Sequence, residues 1–449
     1  MAPWRDPPTG ARGTRAFGWA FAAHILVATA LAISNGHDHP VADSLVFAAV
    51  VAVGLGLHDA REGDSPWPYA HVLTWAVAMA SIACAGLLAP GVYLESRAPL
   101  VAFFAMNAAA MAVVATYSLD WLAPSRVPSW AAWGRPAALL ALAFGISAWV
   151  LRASPAPRID VWVLDQQAAD ALLHGRRVYG RGALAALDTY DLKRVIDTYD
   201  YPPLTLLLST AAFALTGDTR WAQVAAFLLG AALLFVFARR TTGGPALATL
   251  LMACALFQPS GQFVLEQAWG EPLAVPFLGA FALALSAGRM RSAAIALGLL
   301  CALKQHLVLY LPALALLPGV GLPGATIALA VVAATYAPFA LASPRDLWAS
   351  LVLHHWHNPF RPDSLSLPAM VSNAGILLPA WLGFAATAAS FAVLKGMPRR
   401  LGPLLFAASL QFLVFYVLGR QAFCNYYYLL GPTWLFAGAG LVTPAAEVL

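Results

Sequence analysis

Residues 98–117 read APLVAFFAMNAAAMAVVATY, twenty residues without one charged side chain. At a rise of about 1.5 Å per residue, such a run is long enough to cross the roughly 30 Å hydrocarbon layer of a bilayer. Lipid offers peptide groups no hydrogen bonds, so the run is stable only as a helix that satisfies its own backbone. It is rich in Ala and shows no polar/apolar alternation, which argues against a barrel strand.

The same pattern repeats outward in both directions. Apolar runs fall at about 17–34, 42–58, 69–90 and 136–152, then at about 203–216, 222–238, 245–260, 272–288, 292–317 and 323–343, and finally at about 373–393, 401–418 and 426–443. The sequence therefore predicts an all-α, polytopic transmembrane bundle of about 14 spans. Composition agrees: 61% of the residues are hydrophobic and 10% charged, where a soluble domain carries about 25% charged residues.

The net charge of +5 comes from basic residues scattered between apolar runs. Without a basic stripe it does not indicate nucleic acid; in a membrane protein it is first a topology signal. Cys84, Cys254, Cys301 and Cys424 are far apart and lie in or beside apolar runs, so they form neither a disulfide framework nor a zinc site. Arg5, Arg12 and Arg15 precede the first run, whose Ala30-Leu31-Ala32 resembles a signal-peptide cleavage site. Because many spans follow, this run reads as an uncleaved first span.

Basic residues in short loops set the orientation. The N-terminal arginines place that end in the cytoplasm. Asp38 and Asp43 then lie outside, Arg126 and Arg135 inside, and the polar stretch Arg152–Tyr201 outside. Lys395, Arg399 and Arg400 fall inside, which puts a second polar segment, 344–372, outside as well. Between them two routes are open. If 203–216 spans, Arg239, Arg240, Arg289 and Arg291 end outside, against the rule. If it re-enters the outer face, 292–317 must break near Lys304. Both routes bring the two polar segments to one face. The chain divides into N-terminal spans (1–135), a module with both outer loops and their short surface helices (136–372), and C-terminal spans (373–449).

In the first polar segment Val161, Leu164, Ala168, Ala171 and Leu172 recur at helical spacing, with Asp165, Gln166 and Asp170 off that stripe. This predicts an amphipathic helix on the membrane surface, stopped by Gly175. Asp160 at its start is read either as a cap or as a base at the lipid–water boundary. Acidic residues gather further on, in Asp188-Thr189-Tyr190-Asp191 and Asp197-Thr198-Tyr199-Asp200-Tyr201-Pro202-Pro203-Leu204. The two prolines suit the start of a helix, Tyr199 and Tyr201 suit an aromatic belt, and the acidic density hints at a polar cavity.

The second polar segment carries His354, His355, His357, Asn358, Arg361 and Asp363. His-His-x-His lacks a companion Cys or carboxylate at ligand spacing, so it is a poor metal site. With Asn358 and Arg361 it reads either as an ordinary polar loop or as a site for an anion such as a phosphate. Lys304, Gln305 and His306 interrupt an apolar run, and a lysine at depth needs a partner anion or must snorkel. Glu266, Gln267 and Glu271, between two spans, either bound a hydrophilic cavity or lie in a short loop.

These pieces resemble the GT-C superfamily of integral-membrane glycosyltransferases, and within it the polyprenol-phosphate-sugar-dependent, mannosyltransferase-like enzymes. The resemblance is carried by Asp160 through Gly175, with its Ala-Leu-Leu-x-Gly ending, by Tyr201-Pro202-Pro203-Leu204, by the Leu303-Lys304-Gln305 break and by the second outer loop. It covers about residues 136–372. Two features depart from it: about five spans precede the acidic loop, and Arg177-Val178-Tyr179 stands where the family has Asn-Pro-Tyr.

The resemblance implies a cell-membrane, multi-pass enzyme with its active site on the outer face. Its donor is a polyprenyl-phosphate sugar, and a glycan or lipid-linked acceptor supplies a hydroxyl. Asp160 is then the general base, with Asp165 the alternative. Arg361, Lys304, His354, His355 and His357 are candidates for the donor phosphate. Tyr201, Gln305, His306, Glu266, Glu271 and Asp363 are candidates for lining the cavity. One base and a single displacement imply inversion, and the scheme requires no metal or cofactor. A polytopic transporter and a lipid-linked glycan ligase or flippase are the competing readings. The sequence shows no internal repeat of the transporter kind, and its polar mass is gathered on one face.

Overall fold

The computed structural model describes residues 12–443 except 64–65, 96–99, 123–127, 129, 190–193 and 243. Arg5, Arg126, Tyr190 and Asp191, singled out above, lie outside the described residues. Every apolar run becomes helix. The first five are α1 (Arg15–Ser34), α2 (Pro40–Glu62), α3 (Ala70–Leu87), α4 (Leu100–Leu122) and α5 (Ala131–Ala153). The first polar segment forms α6 (Asp160–Leu173). Then come α7 (Pro203–Thr216), α8 (Arg220–Thr242), α9 (Pro245–Leu256), α10 (Gly261–Glu266), α11 (Ala274–Ser286), α12 (Met290–Cys301), α13 (Tyr310–Leu314) and α14 (Gly321–Ala342). The second polar segment holds α15 (Pro344–Trp348), α16 (His354–Trp356) and α17 (Leu367–Asn373), and α18 (Trp381–Ser390), α19 (Leu401–Val417) and α20 (Cys424–Gly440) complete the chain. Strands are short pairings at the periphery, such as Leu187–Thr189 with Arg194–Ile196. The protein is an all-α, multi-pass membrane bundle, with seven helices among the described residues long and apolar enough to cross a bilayer.

Between α7 and α13 the helices other than α8 are shorter. Helix α7 has 14 residues, a rise of about 21 Å that falls short of the hydrocarbon layer. The run 292–317 breaks as one of the two routes required: α12 stops at Cys301 and a 3-10 turn covers Gln305–Leu309. Such a break frees backbone carbonyls, which must find donors inside the protein. The Thr205 hydroxyl at the start of α7 donates to Leu303 O at 2.6 Å, and Leu307 N donates to Lys304 O.

Two apolar cores result. The large one runs through the bundle, where α1 packs on α2 and α20, and α8 packs on α9 and α11. The smaller one lies above it and joins both polar segments: Leu164, Ala168 and Ala171 of α6, Val178, Tyr179, Ile196 and Tyr199 of the following loop, and Leu347 and Leu351 of the second segment. Polar contacts reinforce this core. Gly180 N donates to Ser350 Oγ at 2.9 Å, the Thr198 and Ser350 hydroxyls lie 2.7 Å apart, and Arg177 pairs with Asp346 at 3.5 Å. The two polar segments therefore pack together on one face of the bundle.

Candidate active site

Helix α6 forms where the spacing predicts it, and Gly175 ends it. Gly175 adopts φ +64°, a left-handed conformation glycine enters without strain, while Arg176 N reaches back to Ala171 O. Asp160 is the first helical residue; its Oδ1 accepts from Val161 N at 2.8 Å. A carboxylate in the first turn is favoured by the helix dipole.

The expected face of α6 needs one correction. Asp165 lies off the apolar stripe by spacing, yet only 2% of it is exposed. Val178, Tyr179, Leu184, Ile196 and Tyr199 from the following segment pack over the helix, so α6 is covered on more of its circumference than one stripe requires. Tyr199, assigned to an aromatic belt, is fully buried under that cover and donates from its hydroxyl to Asp165 Oδ1 at 2.8 Å. Burial raises the Asp165 carboxyl to about 7, with the Tyr199 hydrogen bond and Lys304 opposing and Asp200 reinforcing the shift. Burial, then the Asp165 charge, pushes the Tyr199 hydroxyl well up.

Tyr201 marks the centre of the group. Burial raises its hydroxyl well above the usual value, as do the charges of Asp200, Asp160 and Asp165 in turn. Three carboxylates thus lie within electrostatic reach of one phenol. Its carbonyl accepts from the Tyr179 hydroxyl at 2.9 Å, which fixes the chain just before Pro202-Pro203 starts α7.

Lys304 stands over the Tyr201 ring at 5.2 Å and the Tyr426 ring at 5.5 Å. It has the partner anion that its depth demands: Nζ donates to Glu271 Oε1 at 2.6 Å, and Asn425 Nδ2 donates to the same oxygen at 2.8 Å. Gln305 Nε2 donates to Leu351 O at 3.2 Å, tying the broken helix to the second polar segment. The His306 ring lies among Phe412, Phe415, Tyr416 and Tyr426. From the second segment, His354 Nε2 lies 3.6 Å from Asp200 Oδ2. His355 Nε2 lies 2.9 Å from the Asp200 carbonyl oxygen, so that nitrogen carries the proton.

Asp165, Tyr201, Glu271, Lys304, Gln305, His306, His354 and His355 are thereby joined by contacts or fields, and the Asp160 charge acts on Tyr201. The other candidates have different company. His357 Nδ1 lies 2.7 Å from Leu353 O, four residues back in the chain, the two residues flanking α16. Arg361 forks onto Asp363 at 2.7 and 2.8 Å and lies over the Phe423 ring. That fork, chiefly, holds the Asp363 carboxyl below its ordinary value. Glu266 receives the amides of Val92 and Tyr93.

Sequence reasoning missed Asp200, Tyr199 as the partner of Asp165, and Asn425 with Tyr426. Asp200 stood inside a quoted acidic stretch. Asn425, a polar residue at the edge of an apolar run, is the kind that signals a reason for its presence. It also missed a clamp under α6. Fully buried Arg220 pairs with Asp218 at 2.6 Å, donates to Ser154 O at 2.8 Å and lies under the Trp162 ring, while Gln166 bonds Gly217 O and Thr219 N.

No protein-family model matches this chain. No curated protein matches it either. Among solved structures it is similar to ArnT from Cupriavidus metallidurans bound to undecaprenyl phosphate, at 15% identity and a TM-score of 0.45. The match covers 72% of this chain and 61% of that one, less than two thirds of its length.

Proposed function

We propose that the protein is a membrane glycosyltransferase that moves a sugar from a polyprenyl-phosphate donor to an acceptor hydroxyl, with Asp160 as the base. The motif resemblance suggests this chemistry, and one observation carries it: a buried lysine, two histidines and three carboxylates converge around Tyr201 and Tyr426 at the polar-segment face. A lysine offers three donors and Glu271 takes one, so an anionic oxygen can take another. Aromatic faces beside carboxylates suit a sugar ring. Among the described residues, Glu271 Oε2 and Asp200 Oδ1 are buried without a hydrogen-bond partner. A buried acceptor left unpaired costs about 1–3 kcal/mol, which a donating sugar hydroxyl recovers.

In this reading the acceptor oxygen attacks the anomeric carbon as its proton passes to Asp160. The bond from that carbon to the phosphate oxygen breaks, and polyprenyl phosphate leaves with the bonding pair. Its charge is stabilised by Lys304 and by an N–H group of His354, while His355 spends its N–H on the Asp200 carbonyl oxygen and so holds that residue in place; one such donor is typically worth about 10²–10³ in rate. A single displacement inverts the anomeric centre. Asp160 is preferred to Asp165 because it keeps part of its surface exposed, whereas Asp165 is buried and holds Tyr199. The basic-loop pattern of the sequence supports a site on the outer face of the cell membrane. Arg361, forked onto Asp363 beside Phe423, is a further candidate contact for a lipid headgroup.

The test is transfer by the purified full chain in vesicles supplied with a labelled polyprenyl-phosphate sugar and a lipid-linked acceptor. Release of polyprenyl phosphate coupled to glycosylated acceptor is expected. A transporter would move the labelled lipid between leaflets and leave its sugar–phosphate bond intact.

A further inference from the structure

The loop between α3 and α4 reaches across to the segment that leads into Asp160. Val92 N donates to Glu266 Oε2 at 2.7 Å and Tyr93 N to Oε1 at 2.8 Å, so both carboxylate oxygens are engaged by this loop. Gln267 Nε2 adds a third donor at 2.9 Å, and Glu266 is fully buried. A Cβ at Gly91 would lie 2.7 Å from Glu266 Oε2, closer than real contacts allow, so the backbone can approach the carboxylate only with glycine there.

From this anchor the same loop grips residues 153–158. Glu95 N donates to Ala153 O at 2.7 Å, and the Tyr93 hydroxyl donates to Arg158 O at 3.0 Å. The stretch 154–159 is not helical, and its course is set from outside: by this strap on one side and by Arg220, bonded to Ser154 O, on the other. Asp160 begins two residues after Arg158. The strap comes from the N-terminal spans, to which the sequence assigned no role.

We propose that Glu266 is a positioning residue: through the strap 91–95 it fixes the segment 153–159 and so aims Asp160 at the acceptor. The catalytic part rests on the reading of Asp160 as the base. Displacing a reacting group by about 1 Å can cost about 10²-fold in rate, and a strap held at two carbonyls restrains displacements of that order. Glu266 then acts without touching substrate.

The test uses the full chain in lipid nanodiscs with Glu266→Gln, Gly91→Ala and Tyr93→Phe. Amide hydrogen exchange over residues 154–162 is expected to rise about tenfold or more in the first two variants, while α8 and α19 keep wild-type protection. Trypsin should also cut sooner after Arg158. With a polyprenyl-phosphate sugar as probe, kcat should fall about 10- to 100-fold with the donor KM within about twofold. Tyr93→Phe, which removes one hydroxyl and leaves the anchor, should move both readouts in the same direction by less; it carries the test if Glu266→Gln loosens the whole chain. Unchanged exchange at 154–162 would overturn the strap. Raised exchange with unchanged kcat, in a protein inactivated by Asp160→Asn, would overturn positioning and leave the base intact. Full transfer by Asp160→Asn would remove the base, and the catalytic part with it, whatever the exchange shows.

Discussion

Lys304 and Glu271, 33 residues apart in sequence, form a 2.6 Å ion pair with 7% and 1% of their side chains exposed. Removing one partner of such a pair leaves an uncompensated charge and typically costs about 3–5 kcal/mol, whereas replacing both with neutral groups is often close to neutral. Lys304→Met alone should therefore lower thermal stability sharply. Lys304→Met with Glu271→Gln, which keeps an acceptor for Asn425, should restore most of it and leave transfer abolished. Restored activity in the double variant would separate the pair from catalysis.

The Asp165 carboxyl is raised to about 7, chiefly by burial. Its folded value lies above its unfolded one, so the folded chain holds an extra proton between about pH 4 and 7. Stability from this residue is complete at the acid end and falls as pH rises through that window. Asp165→Asn keeps an acceptor for Tyr199 and removes the titration. Its melting temperature should be flatter with pH than that of wild type, and higher at about pH 8. Parallel melting curves across the window would contradict the buried, proton-holding role.

His354 and His355 meet Asp200, and His357 bonds the Leu353 carbonyl across α16. Alanine at 354 or 355 should lower kcat, by up to about 10²-fold each, with the larger effect where the N–H faces the departing phosphate. Alanine at 357 should change it least. Steady-state rates of the three variants check this, and equal losses at all three would dissolve the distinction.

Arg220 is fully buried and is held by Asp218 and Ser154 O. Arg220→Ala should strand Asp218 and loosen α6, lowering stability by several kcal/mol on the scale of about 3–5 for a broken buried pair. Arg220→Lys keeps the charge but loses the fork, and should recover part of it. Thermal unfolding in detergent measures both; two wild-type melting temperatures would rule out the clamp.

The helices were legible because lipid leaves a chain little choice: an uncharged run such as 100–117 is helical wherever it sits. The surface helix α6, its stop at Gly175 and the break at Lys304 were legible for similarly local reasons, a period, a glycine and a charge at depth. What spacing could not show is how a loop folds back. Asp165 counts as outward from its place beside Leu164, and only the return of Tyr199 buries it. Likewise Glu266 and Glu271 look alike between two spans, yet one holds a backbone strap and the other a lysine. Their partners, residues 92–93 and 304, are distant in sequence, and no local pattern names them.

The most direct measurement is transfer from a labelled polyprenyl-phosphate sugar by wild type, Asp160→Asn and Asp165→Asn, with donor binding measured on the same samples. The account predicts that Asp160→Asn binds the donor within about twofold of wild type and loses about 10²–10⁴-fold in turnover, as the loss of a general base requires, while Asp165→Asn retains most of its rate. Full turnover in both variants, with donor bound, would contradict it.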